Sequence, residues 1–233
     1  MRKYLLLLST LVILKAPLGA QVTIGSSLSD GGSDSATGGV YIMTGGDFGA
    51  DNTALTWSFF DDDDLDPNRS VTPLLFENTA ANTWVLRGIG TSVTSDESGL
   101  QADIAFGLIE GSAAVSAGYT FGFSDRAVAS AGDGNTTNVS ENQGLIGNVG
   151  GTDWSFTGTG QDPDTLSIGQ TFIINGGGAG GTYNLYGNQR GYAATMTAGV
   201  SAVPEPSTYA ALAGLGALGM AFCRRRQRAA FRP

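Results

Sequence analysis

The sequence predicts an all-β protein, organised as an antiparallel β-sandwich of the jelly-roll type. Short runs of β-branched and aromatic residues recur along the chain between Gly, Asn, Asp and Ser, and nothing before Pro206 shows a sustained helical period. Such turn-separated runs are typical of antiparallel sheets. The candidate strands, roughly ten in number, are Val40–Met43, Leu55–Phe60, Val71–Phe76, Trp84–Val93, Ile104–Ile109, Ala113–Phe123, Trp154–Phe156, Leu166–Ile174, Tyr183–Tyr186 and Tyr192–Met196.

Two of these runs show the apolar/polar alternation expected of strands that pack face to face in a sandwich. Apolar and aromatic residues alternate with Thr and Ser in residues 55–59, and with Thr, Gly and Ser in residues 119–124. We expect each strand to bury its aromatic face and expose its polar face. Trp57, Trp84 and Trp154 are then core residues, or else they stack on sugar rings.

A glycine-rich segment, Gly176–Gly181, follows the last residues of a candidate strand. It lacks the Lys-Ser/Thr pair and the helix start that a phosphate-binding loop needs. The sequence therefore predicts a hairpin loop at this position.

Composition restricts the chemistry that the chain can perform. It has 36 Gly, no His and a single cysteine, Cys223. Because His is the commonest general base and a frequent metal ligand, its absence weakens most hydrolase and zinc-enzyme hypotheses. One Cys excludes an intramolecular disulfide, and the lack of His excludes a Cys–His nucleophilic pair.

Charge is distributed unevenly along the chain. Residues 21–203 contain four arginines and 20 of the 21 acidic residues, which gives this stretch a formal charge of −16. A body this acidic is repelled by phosphate backbones, so we expect no nucleic-acid partner. The simplest effect of this negative charge is to keep the protein soluble.

The N-terminus has the order of features found in secretory signals. Arg2 and Lys3 precede the apolar run Tyr4–Leu14, and a small-residue cleavage site ends at Ala20. The apolar run is shorter than a comfortable membrane span. We therefore assign residues 1–20 to a signal peptide removed by signal peptidase, and residues 21–202 to the β-sandwich ectodomain.

The C-terminus reads as a spacer, a short apolar helix and a basic stop. The motif Pro204-Glu205-Pro206 is stiff and cannot continue a sheet interior. The uncharged run that follows predicts a transmembrane helix over about 208–223, roughly 20–24 Å long at 1.5 Å per residue. The arginines after it hold residues 229–233 in the cytoplasm by the positive-inside rule; they are Arg224, Arg225, Arg226 and Arg228.

Residues 203–228 together resemble the PEP-CTERM sorting signal of Gram-negative bacteria. The resemblance includes the order Val-Pro-Glu-Pro-Ser, the Ala/Gly/Leu helix and the Arg-rich end, in a chain with a signal peptide. It implies that Pro204-Glu205-Pro206 is recognised by an exosortase. It also implies an inner-membrane-anchored precursor that becomes a cell-surface or extracellular protein, associated with exopolysaccharide or biofilm.

An acidic run offers the strongest candidate metal site. Residues 61–66 contain five aspartates, and Asp62, Asp64 and Asp66 alternate along the chain, with Asn68 nearby. Oxygen ligands at such spacing suit Ca²⁺, which would also relieve the mutual repulsion of the carboxylates. Pro67 stands where a calcium loop needs Gly, so a solvated acidic turn without any cofactor is the alternative.

The sequence therefore favours a non-enzymatic, exported surface or matrix protein with no catalytic residues. A carbohydrate-binding module that uses Trp or Tyr is one alternative. A secreted glycosidase with two paired carboxylates is another, because an acidic β domain supplies many such pairs. Its candidate acids are Glu77, Asp96, Glu97, Asp103, Glu110 and Glu141.

Overall fold

The computed structural model describes residues 21–31, 39–61, 69–95, 99–124, 146, 148–157, 165–177 and 182–199. Residues 19–200 form one compact unit. The predicted signal peptide and the whole C-terminal tail lie outside the described residues, as do Asp62, Asp64, Asp66 and Asn68.

The described residues form fourteen strands and no helix. Five of these strands make one antiparallel sheet, in which β9 pairs beside β3 and the other four follow the order β1-β14-β3-β7. Its strands are β1 (Val22–Gly25), β3 (Asn52–Asp61), β7 (Gly99–Ala105), β9 (Ala114–Val115) and β14 (Ala194–Gly199).

The other nine strands form a sheet that closes on itself, which we call the closed sheet. Its order is β6-β4-β10-β2-β11-β13-β12-β5-β8, and β4 also pairs with β5, so seven strands complete a ring. The strands are β2 (Val40–Met43), β4 (Arg69–Ala80), β5 (Thr83–Ile89), β6 (Val93–Ser95), β8 (Glu110–Gly111), β10 (Tyr119–Ser124), β11 (Trp154–Thr157), β12 (Thr171–Ile174) and β13 (Thr182–Arg190).

One hydrophobic core combines residues of both sheets, and we call it the interlayer core. The five-stranded sheet contributes Trp57 and Phe59, and the outer face of the closed sheet contributes aromatic rings from β2, β10 and β11. Its large buried members are Tyr41, Phe48, Trp57, Phe59, Phe106, Phe121, Phe123, Trp154 and Tyr192.

A second core fills the interior of the closed sheet, and we call it the inner core. It consists of Val40, Ile42, Leu74, Phe76, Trp84, Leu86, Ile89, Phe172 and Leu185. Strands β10 and β11 contribute no hydrophobic residue to this cluster. Their intervening positions are small or hydroxyl-bearing, and those with side chains are buried: Thr120, Ser124, Ser155 and Thr157.

The expected exposure of the polar face of residues 119–124 is therefore wrong. Closure of the sheet turns that face inward, where each hydroxyl needs a hydrogen-bond partner. Thr120 Oγ1 donates to the Met43 carbonyl at 2.7 Å, and Thr157 Oγ1 accepts from the Val40 N–H at 2.9 Å.

The all-β prediction is confirmed, whereas the jelly-roll sandwich is not, because one of the two sheets forms a closed ring. Several boundaries also differ. Strand β1 was not predicted, the run at 84–93 divides into β5 and β6, and the run at 104–109 corresponds to a strand that ends at Ala105.

The hairpin predicted at the glycine run is wrong, because β12 and β13 pair in parallel. The chain turns back immediately after β12, where Asn175 has φ of 55° and Gly177 has φ of 136°. A Cβ at Gly177 would lie 2.9 Å from the Asn184 backbone nitrogen. Glycine at this position thus serves a close backbone approach within the turn.

Candidate functional site

All three tryptophans are buried, so none presents a ring face to a ligand. Trp57 and Trp154 lie in the interlayer core, and Trp84 lies in the inner core. The Trp154 indole also donates to Ser26 Oγ at 2.9 Å. The core role is confirmed for these residues, and the sugar-stacking hypothesis for them is wrong.

A row of four aromatic rings runs across the outer face of the closed sheet. Phe123 on β10 stacks on Tyr41 of β2 with 4.7 Å between ring centroids, and Tyr41 stacks on Phe156 of β11 at 6.0 Å. Phe156 then faces Tyr186 of β13 at 5.6 Å and an interplanar angle of 32°. The row is buried at Phe123 and ends in solvent at Tyr186, which is 46% exposed.

Arg190 lies over the third ring of this aromatic row. Its guanidinium carbon sits 5.0 Å from the centroid of the Phe156 ring, a cation–π geometry. One of its N–H groups donates to the Tyr192 hydroxyl at 3.3 Å. Strand pairing fixes both ends of this arrangement, because Tyr186 is opposite Phe156 and Arg190 is opposite Trp154.

Sequence reasoning missed this group of side chains. Tyr186 was predicted in a strand and Arg190 was counted among the four arginines of the body, but nothing in the local pattern linked either one to Phe156. The scarcity of arginine in an acidic body was the one signal that marked Arg190.

The candidate acids of a glycosidase are only partly described. Glu77 accepts a hydrogen bond from Arg87 at 2.7 Å and is its ion-pair partner. Asp103 lies on the five-stranded sheet and Glu110 lies on β8 of the closed sheet. Asp96, Glu97 and Glu141 lie outside the described residues.

Asp61, the first residue of the acidic run, does not lie in the solvated turn that was the alternative to a calcium site. Asp61 is the last residue of β3 and is only 2% exposed, so it is not part of a solvated turn. Within the described ranges, no group of three or more Asp, Glu, His or Cys side chains could hold a metal ion. Calcium at Asp62, Asp64 and Asp66 stays a prediction.

The predicted sorting residues Pro204, Glu205 and Pro206 and the arginine stop also lie outside the described residues. In the part of the chain that the structure describes, no helix is long and apolar enough to cross a membrane. A family model, the PEP-CTERM protein-sorting motif, matches residues 202–226. The chain carries a PEP-CTERM sorting motif. Neither the curated proteins nor the solved structures yield a match.

The PEP-CTERM motif defines the destination of this chain. It marks an exosortase-targeted surface protein, which is exported and passes through a membrane-anchored precursor. The match confirms the resemblance seen in residues 203–228.

Proposed function

We propose that this chain is a non-enzymatic surface or matrix protein of a Gram-negative bacterium, associated with exopolysaccharide or biofilm. The sorting motif at residues 202–226 carries the proposal, because it assigns the β-rich body to the cell exterior. The proposed role requires no cofactor.

The proposed maturation has two cleavage steps. Signal peptidase cuts after Ala20 during export, and the short helix at about 208–223 then holds the precursor in the inner membrane with its arginines in the cytoplasm. An exosortase acts at Pro204-Glu205-Pro206 and releases the β-rich part of the chain from the membrane. The high acidity of residues 21–203 supports solubility of the released product.

Residue chemistry supports the non-enzymatic role. The whole chain has no His and one Cys, so the commonest general base is missing and a reactive Cys has no His partner. Of the candidate acids, Glu77 is already engaged by Arg87 at 2.7 Å. No specific observation favours the glycosidase alternative.

Replacing Pro204, Glu205 and Pro206 by alanine in the native host tests the proposed maturation. We expect the variant to accumulate in the membrane fraction as a precursor that still carries residues 203–233, detected by immunoblot and by mass spectrometry of the C-terminus. The single change Ser207→Ala is the matched control, because it alters a neighbouring residue and keeps the motif. Unchanged processing of the triple-alanine variant would contradict the proposal.

A carbohydrate-binding role is the second candidate function, and one observation favours it. Tyr186 is 46% exposed at the end of an ordered aromatic row, and the next ring of the row, Phe156, carries the Arg190 guanidinium over its face. Because all three tryptophans are buried, a carbohydrate-binding module in this chain would bind through tyrosine.

A further inference from the structure

We propose that Tyr186, Phe156 and Arg190 form a binding site for an uncharged hexopyranose polysaccharide. The inference rests on the proposed surface function, since it names the ligand that the exported body would hold outside the cell. The site consists of an exposed ring, a second ring next to it and a cation over the second ring.

The exposed ring supplies the apolar contact. Four large hydrophobic residues are exposed in the described part of the chain, and Tyr186 is the only aromatic one among them. The C–H-bearing face of a pyranose ring is apolar, so it packs on an aromatic face while its hydroxyls stay solvated. A tyrosine suits this position because its ring is apolar and its hydroxyl remains in water.

The ring is also held in place before any ligand arrives. Tyr186 lies on a paired strand, opposite Phe156, and the Phe156 ring is in turn stacked on the buried Tyr41. Aromatic side chains on a paired strand lose little conformational freedom on binding, which lowers the entropic cost of association.

Arg190 supplies hydrogen-bond donors over Phe156, the ring next to Tyr186. A guanidinium has five N–H donors in a fixed plane. One of them reaches the Tyr192 hydroxyl, and the group lies over Phe156. Among the described residues, no carboxylate forms an ion pair with Arg190, whereas Arg87 is paired with Glu77. Hydroxyls of a sugar chain that extends from Tyr186 toward Phe156 can therefore accept hydrogen bonds from the remaining N–H groups.

The charge of the body selects the class of polysaccharide. The formal charge of −16 between residues 21 and 203 repels polyanions such as uronate polymers. An uncharged polymer meets no such repulsion. Two neighbouring aromatic rings contact only about one or two sugar rings, so each contact is weak, with a Kd on the order of millimolar. Many copies on one cell surface bind a long polymer with greater avidity.

Affinity electrophoresis of the full-length chain tests this site. The chain is purified in a polyoxyethylene detergent, which lacks a sugar headgroup, and is run through native gels that contain dextran, laminarin, hydroxyethyl cellulose or alginate. We expect at least one neutral polymer to retard the wild-type chain. The dependence of mobility on polymer concentration gives the affinity. Tyr186→Ala should lower this affinity by about tenfold, and Tyr186→Phe should keep it within about twofold, because the aromatic ring makes the contact.

Two further variants complete the design. Arg190→Gln should weaken binding several-fold. Leu100→Ala removes another exposed apolar side chain, 54% exposed on the five-stranded sheet, and should change nothing. Thermal unfolding of each variant shows that the fold is retained, and tail processing in the host, which these changes leave intact, tests the sorting function separately.

Three results would overturn the proposed site. The first is the absence of retardation by every neutral polymer. The second is retardation that survives Tyr186→Ala, and the third is retardation by alginate alone. Self-association of the wild-type chain that Tyr186→Ala abolishes, without any effect of polymer, would instead assign this face to contact between two copies.

Discussion

Strand β10 contributes different kinds of side chain to the two cores of the molecule. The interlayer core packs large aromatic rings, among them Phe121 and Phe123 of this strand. On the other face of β10, Thr120, Gly122 and Ser124 point into the closed sheet. One strand thus supplies its bulk to one core and almost none to the other.

The difference reflects the space available on each side of the sheet. Two facing sheets are about 10 Å apart and accommodate stacked rings. A ring of seven strands encloses a narrow interior, which a mixture of large and small side chains must fill. A Cβ at Gly122 would collide with the Tyr41 carbonyl oxygen and would lie 2.9 Å from Cε2 of Phe76. Small residues on β10 therefore make room for large ones on β4.

Phe123→Ala should have the largest effect on stability, because it removes a large buried ring from the interlayer core. The ring contacts Tyr41, Trp154 and Tyr192, with centroids 4.7, 5.6 and 5.7 Å away. We expect a loss of about 3–5 kcal/mol in the free energy of unfolding. Urea unfolding followed by tryptophan fluorescence measures it, with the exposed Leu100→Ala as control. A loss below about 1 kcal/mol would contradict the packing described.

Gly122→Ala tests the face of β10 that points into the closed sheet, because it adds a methyl group there. We expect a loss of about 1–3 kcal/mol, because the new methyl group meets backbone that cannot move without disturbing the β2–β10 pairing. Gly46→Ala is the matched control, since its Cβ would approach only the flexible end of Met43, at 3.2 Å. Equal unfolding free energies for the two variants would show that the interior of the closed sheet is not tightly filled.

Thr120→Val removes a buried hydroxyl from the same face of β10 and leaves the side-chain volume nearly unchanged. The change leaves the Met43 carbonyl without its 2.7 Å hydrogen bond in a buried position, so we expect a loss of about 1–2 kcal/mol. Thr23→Val removes a hydroxyl that bonds Thr197 at 2.8 Å on an exposed face, and should cost less than about 0.5 kcal/mol. The same urea titration compares the two, and a larger loss at Thr23 would contradict the burial of the β10 hydroxyls.

The proposed sugar site could not be assembled from local sequence. Phe156 and Tyr186 are adjacent only because β11 and β13 pair, and Arg190 reaches Phe156 only through the same pairing. In contrast, the burial of Trp57 was predictable, because the alternation around it already indicated one apolar face.

The sequence by itself determined the sorting motif and the all-β class, because both depend on short-range order: a local motif in one case, and runs of strand-forming residues between turn residues in the other. The tertiary structure alone decided that the nine-stranded sheet closes into a ring and that β12 pairs with β13 in parallel. The ring depends on hydrogen bonds between strands that are far apart in the sequence, such as β4 with β10 and β5 with β12. Local alternation distinguishes the two faces of β10, but it does not show whether the polar face meets water or a hydrogen-bonded interior.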